Sequence, residues 1–231
     1  MKRFLFLLTL SMLTAVSGAA KAAPTPVGNQ IVNGGFESTF VANNSWVNVA
    51  ATPGWTWLGG PGTGFELRNN AVGRAQEGRN FIELDTNGNS LIGQYLDNLS
   101  TGALYDLTFW YAPRTFQPAS TNGLQVFWNG AQLGDVLTRL GGSENDWTQH
   151  QFSVNAQAGR NLLSFAAAGT SDGLGGNLDN VQLNRIPEPG SLMLTLAALA
   201  AAFLLPRTLR RQAVLRRATA LASTLERTTG S

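Results

Sequence analysis

The chain has 231 residues, 43% hydrophobic and 13% charged, with no cysteine, which excludes disulfides, thiolate catalysis and zinc–thiolate sites. Its formal charge of +2 belongs to its ends. Nine of the sixteen basic residues lie before residue 23 or after residue 186, and the span between carries seven Arg against twelve carboxylates, a net −5, which argues against nucleic acid as a partner.

In chain order, Lys2-Arg3 precede an apolar run over residues 4–13, and Ala20-Lys21-Ala22 follow as a small-residue cleavage site. This reads as a secretory signal peptide over residues 1–22, because the run is short for a bilayer span; the other reading is an uncleaved anchor. Residues 23–186 form the domain. Short alternating runs at residues 81–85, 90–96, 104–112, 123–128, 147–154 and 161–168 are separated by Gly, Asn and Asp, and no helical stripe is sustained. Strands at this spacing predict an all-β jelly-roll β-sandwich. Asn87-Gly88 and Asn129-Gly130 are expected to turn two hairpins.

The chemistry available to this domain is sparse. Glu83 and Asp85 sit two apart on one strand and so share a face, which raises glycoside hydrolysis as a remote possibility. His150 is the only histidine, and no nucleophile elbow accompanies it. The Asp85-Thr86-Asn87-Gly88-Asn89 run has Ser90 and Leu96 where a calcium-binding EF loop needs Gly and Glu, so it reads as a turn. The Gly-rich residues 169–176 lack the Lys-Ser/Thr ending of a phosphate loop. The chain is therefore expected to be no enzyme.

Six Trp are many for one domain, and most are expected in the core. Alternation puts Leu107, Phe109 and Tyr111 on one face and Trp110 on the other; it puts Leu124, Val126 and Trp128 inward, leaving Gln125 and Phe127 outward. A ligand-binding face of Glu83, Asp85, Trp110, Arg114, Gln125 and Phe127 follows, since sugar rings stack on aromatics. The competing expectation is that residues 46–64 or 113–122 cover Trp110 and Phe127.

After the domain, Pro187-Glu188-Pro189-Gly190 precede an apolar run over residues 191–205, then Pro206 and an Arg cluster. Arginines beyond an apolar run stay on the cytoplasmic side. The run of 15 residues reaches only about 22 Å as a helix. Residues 212–231 mix Leu and Val with Arg, which reads either as a basic amphipathic helix on the inner membrane surface or as an extension without a role.

Two resemblances attach to these motifs. The Pro187, Glu188, Pro189 motif, apolar run and Arg cluster over residues 187–211 resemble the PEP-CTERM sorting signal. That implies a C-terminal transmembrane anchor, processing by an exosortase-type enzyme, and export to the cell surface or an exopolysaccharide matrix. Ile31-Val32-Asn33-Gly34-Gly35-Phe36-Glu37, Pro53-Gly54-Trp55, residues 80–85 and Gly176-Asn177-Leu178-Asp179-Asn180-Val181 resemble a galactose-binding-like carbohydrate-binding jelly roll. The resemblance implies a polysaccharide partner and one structural calcium held by Glu37, Asp179 and the Gly35 carbonyl, with the backbone of the Glu77-Gly78-Arg79-Asn80 loop as a further candidate ligand. If first and last strands pair, as is common in this fold, the two carboxylates meet and repel unless one is protonated or a cation lies between them. A non-catalytic carbohydrate-binding module and a structural matrix protein without sugar binding are the leading functional expectations.

Overall fold

The computed structural model describes residues 28–187 and 194–200. Residues 28–185 belong to one compact unit, a sandwich of two six-stranded antiparallel sheets. The first sheet contains β1 (Ser45–Val49), β4 (Phe65–Asn69), β5 (Asn80–Glu83), β7 (Leu104–Ala112), β10 (Thr148–Asn155) and β12 (Asn177–Arg185), in the order β1-β4-β5-β12-β7-β10. The second contains β2 (Ala51–Thr52), β3 (Trp55–Gly59), β6 (Leu91–Leu96), β8 (Gly123–Trp128), β9 (Ala131–Gln132) and β11 (Asn161–Ala168), in the order β2-β3-β6-β11-β8-β9. From β5 onward the chain crosses repeatedly between sheets, as a jelly roll does.

The alternation of apolar residues builds the core between the sheets. Leu67, Ile82, Leu178, Leu107 and Phe109 of the first sheet meet Ile92, Phe165, Leu124 and Val126 of the second, all buried. An aromatic chain ties the layers together: Phe36 to Trp55 at 5.5 Å, Trp55 to Phe165 at 6.0 Å, and Phe165 edge-on to Phe109 at 5.1 Å. Of the six Trp only Trp55 and Trp128 are buried, so the expectation that most would be core is corrected; Trp46 and Trp57 are exposed.

Asn129-Gly130 turns as expected, with φ of 51° and 82° linking β8 to β9, the left-handed pair a type I′ turn needs. Asn87-Gly88 does not. β5 lies between β4 and β12 in one sheet while β6 lies between β3 and β11 in the other, and only the isolated Asp85–Asn89 bridge survives at the base. The expected pairing of first and last strands also fails, since β1 pairs with β4. Instead the segment before β1 lies along β12: the Gln30 amide donates to the Leu183 carbonyl (2.9 Å) and the Val181 amide to the Gly34 carbonyl (3.0 Å). A Cβ at Gly34 would fall 2.0 Å from the Val181 carbonyl oxygen, so only glycine permits that approach.

The signal peptide and the basic tail fall outside the described residues, as do Glu188 and Pro189 of the sorting motif. Residues 194–200 are helical. Among the described residues no helix is long and apolar enough to cross a membrane.

Candidate functional site

On the outer face of the first sheet, opposite the core residues Leu67 and Ile82, β4 and β5 place Glu66, Arg68 and Glu83 side by side. They form a buried ionic lattice. Arg68 Nε donates to Glu66 Oε2 (2.9 Å), and its Nη2 pairs with both Glu66 and Glu83. Arg114, just beyond β7, donates from Nη1 to both Glu83 oxygens (2.7 and 2.6 Å), and the Gly175 amide donates to Glu83 Oε1 (2.5 Å). Burial pushes the Glu83 carboxyl up to about 7, against the downward pull of Arg68 and Arg114. Beside this lattice, Trp147 packs edge-on against Phe81 (5.8 Å) and donates from Nε1 to the Arg74 carbonyl (2.9 Å), tying the loop before β10 to the loop between β4 and β5.

Asp85 is likewise fully buried. Its oxygens accept from the amides of Asp172 (3.1 Å) and Gly173 (3.2 Å), and burial raises its pKa. A Cβ on Gly175 would come within 2.9 Å of the Asp85 Cβ. Glu83 and Asp85 therefore act together, but on the protein itself: they hold the Gly-rich loop before β12 against the end of β5. Neither is open to a glycan.

The remaining residues of the expected binding face do not share a surface. Trp110 is half-buried on the outer face of the first sheet, flanked by Asp179 and Gln149. Gln125 and Phe127 lie on the outer face of the second sheet, on the other side of the sandwich. His150 stacks on Phe109 at 5.6 Å, and burial lowers its pKa; its role is packing.

The expected metal residues do converge. Asp179, at the bulge in β12, accepts at Oδ2 from the amides of Gln76 (2.8 Å) and Glu77 (3.1 Å), and at Oδ1 from its neighbour Asn180 (2.7 Å). Glu37, in a turn rather than on a strand, accepts at Oε1 from the amides of Arg79 (2.6 Å) and Asn80 (2.7 Å). A Cβ built on Gly35 would lie 3.9 Å from Glu77 Oε2 and 4.0 Å from Asp179 Oδ1. Glu77 is thus a third carboxylate at this corner, carried by the loop of residues 77–80 whose backbone was expected to contribute here. Burial, together with the nearby Glu37 charge, pushes Asp179 up to about 7 against its backbone donors. Among the described residues no basic side chain pairs with Asp179, and no three acidic or imidazole groups alone are disposed to hold a metal ion. Arg79 Nε lies 3.7 Å from Glu37 Oε2 on the exposed side of this corner, and a cation here would have to take further oxygens from the backbone.

One surface feature escaped the sequence reading. The loop after β7 and the loop at residues 139–142 are joined by buried Asn122, whose side chain accepts from the Arg114 amide (2.9 Å) and donates to the Gln117 (3.1 Å) and Arg139 (3.0 Å) carbonyls. The Phe116 amide donates to the Gly142 carbonyl and the Gly141 amide to the Gln117 carbonyl, each at 2.9 Å. This frame holds Phe116 at φ 59° with 75% of its surface exposed, near an equally exposed Leu140. A left-handed aromatic residue carries backbone strain of about 1–3 kcal/mol, and such strain gathers at working sites. Phe116 lies in a loop, where periodicity is silent; Pro118 and the positive-φ position leave no pattern.

No family model matches the chain. It is 34% identical over 153 residues, 66% of its length, to a multifunctional-autoprocessing repeats-in-toxin protein of Vibrio cholerae, and it spans about 3% of the length of the curated relatives it matches first. Among solved structures it is similar to a family 35 carbohydrate-binding module from Clostridium thermocellum, with 17% identity, a TM-score of 0.41, and coverage of 69% of this chain and 97% of that one. It is also similar to the module TmCBM61 in complex with β-1,4-galactotriose, with 16% identity, a TM-score of 0.43, and coverage of 68% and 99%.

Proposed function

We propose that the chain is an exported, non-catalytic carbohydrate-binding module, with Phe116 and Leu140 as its apolar platform and a calcium ion at the Glu37–Asp179 corner. The observation that carries the reading is Phe116: a bare aromatic ring on a loop locked by Asn122. The apolar C–H face of a sugar stacks on such a ring, and a rigid loop loses little freedom on binding. The non-catalytic part is supported by Glu83 and Asp85, whose oxygens are engaged by Arg114, Arg68 and backbone amides. Export is supported by the leader and the PEP-type end, and it fits a relative named as a toxin. In this reading the segment from Pro187 onward anchors the chain in the inner membrane until an exosortase-type enzyme releases it to the surface.

Affinity electrophoresis of the full chain against neutral and acidic polysaccharides tests the platform. At least one glycan is expected to retard the protein, and Phe116→Ala to abolish the retardation. Migration unaffected by every glycan overturns the reading. Calcium, when bound, supplies positive charge between carboxylates; Glu37 and Asp179 hold it, with Glu77 and backbone oxygens available to complete the set. Saturating calcium at about 100 times its Kd adds about 2.7 kcal/mol, so EDTA is expected to lower Tm by roughly 5–10 °C. A melt indifferent to EDTA, together with a neutral Glu37→Gln, removes the ion from the proposal.

A further inference from the structure

Residues 38–65 contain no charged side chain, although the domain around them carries net −5. This stretch forms one whole flank of the sandwich. β1 is the edge strand of the first sheet and β2 the edge of the second; the chain leaves one sheet after Val49 and joins the other at Ala51, while the Trp57 amide holds the Ala50 carbonyl at 2.8 Å. The segment before β1 is fastened along the same side. The Thr39 and Thr52 hydroxyls bond at 2.7 Å, and the Asn69 amide group donates to the Val41 carbonyl at 2.8 Å.

Large apolar side chains stand out of this flank: Phe40 is 84% exposed, Trp46 56%, Val47 41% and Trp57 37%. β1 also lacks the devices that protect an edge. It has no Lys, Pro or charged residue, and it runs against β4 from Ser45–Asn69 to Val49–Phe65 without a bulge. The other edge of this sheet, β10, likewise has no Lys, Pro, charge or bulge, but its exposed side chains are polar, Gln149, Gln151, Ser153 and Asn155, with Gln151 bonded to Asp106.

We propose that β1 pairs antiparallel with β1 of a second copy, making a two-fold dimer. The charge distribution selects that occupant. Two acidic domains repel, and this flank is where identical surfaces meet with no carboxylate opposed to another. An isologous contact is self-complementary; a dyad at Val47 sets Trp46 against Asn48 of the second copy and Ser45 against its Val49. The outward backbone groups of β1 become paired, and the two six-stranded sheets continue as one.

Sedimentation of the full chain at about 100 µM, high enough to populate a micromolar dimer, is expected to give twice the 24.6 kDa mass. Val47→Lys places two ammonium groups across the axis and is expected to halve that mass; because Val47 is 41% exposed on the side that carries buried Leu67, its melt is recorded alongside so that a folded monomer is distinguished from an unfolded chain. Val47→Glu is expected to do the same, and an equimolar mixture of the two variants to restore the doubled mass. A monomeric wild type, a doubled mass that survives Val47→Lys, or a mixture that stays monomeric overturns the dimer. Retention in polysaccharide gels lost in Val47→Lys while wild type sediments as a monomer assigns the flank to a glycan instead, which also overturns it.

Discussion

The two outer faces of the sandwich invert each other. The first sheet turns Glu66, Arg68, Glu83 and Asp179 outward and then buries all four under loops. The second turns out Gly93, Tyr95, Leu162, Ser164, Gln125 and Phe127, without a charge among them; Arg160 reaches only its margin, 5.1 Å from the Tyr95 ring, while bonded to Asp97. Buried charge on the first sheet therefore marks where loops are attached. A buried carboxylate on a strand is the anchor for irregular backbone, because loop amides need acceptors and a strand's own carbonyls are already committed.

The strongest way to break that contrast is Arg68→Ala. It leaves Glu66 and Glu83 buried beside one remaining guanidinium, and uncompensated buried charge costs about 3–5 kcal/mol. Phe127→Ala on the other sheet, where the ring is half-buried and meets no buried charge, is expected to cost about 1 kcal/mol. Urea unfolding of both variants measures the gap; equal losses would show the lattice to be dispensable.

A subtler test is pH. Glu83, faced by Arg68, Glu66 and Arg114, has its folded pKa raised from 4.5 to about 7 by burial. Between those values the unfolded chain releases a proton that the folded chain keeps, so this contribution is complete below pH 4.5 and fades as pH rises through 7. Stability in EDTA is expected to fall across that window by up to about 3 kcal/mol, and Glu83→Gln to flatten the slope. A Glu83→Gln slope as steep as wild type would assign the effect to other groups. On the second sheet, Tyr95→Ala removes the Arg160 contact and the packing of a ring that is 48% exposed beside Leu162, and is expected to cost about 1–1.5 kcal/mol; a loss as large as that of Arg68→Ala would erase the distinction between the faces.

The same contrast explains what was legible in the sequence. β7, β8 and β11 were readable to the residue because alternation reports the side of a strand that meets apolar matter. It does not report which sheet the strand belongs to, so Gln125 and Phe127 were grouped with Trp110 although the core separates them. Glu83 and Asp85 both meet the loop at residues 172–175, and nothing local in the sequence announces the loop that buries them. Asn87-Gly88 carried a strong turn signal that long-range pairing overrode. β1 to β3 were missed because they are short, interrupted by Gly and Pro, and partly exposed, which blurs period two; β4 alternates and is buried throughout, but over only five residues.

Because Asn29 and Gln30 bond to Leu183, the domain receives the chain and returns it at nearly one point. The start of the domain is thereby pinned to its last strand, so β12 cannot peel away from its end without also releasing the segment before β1.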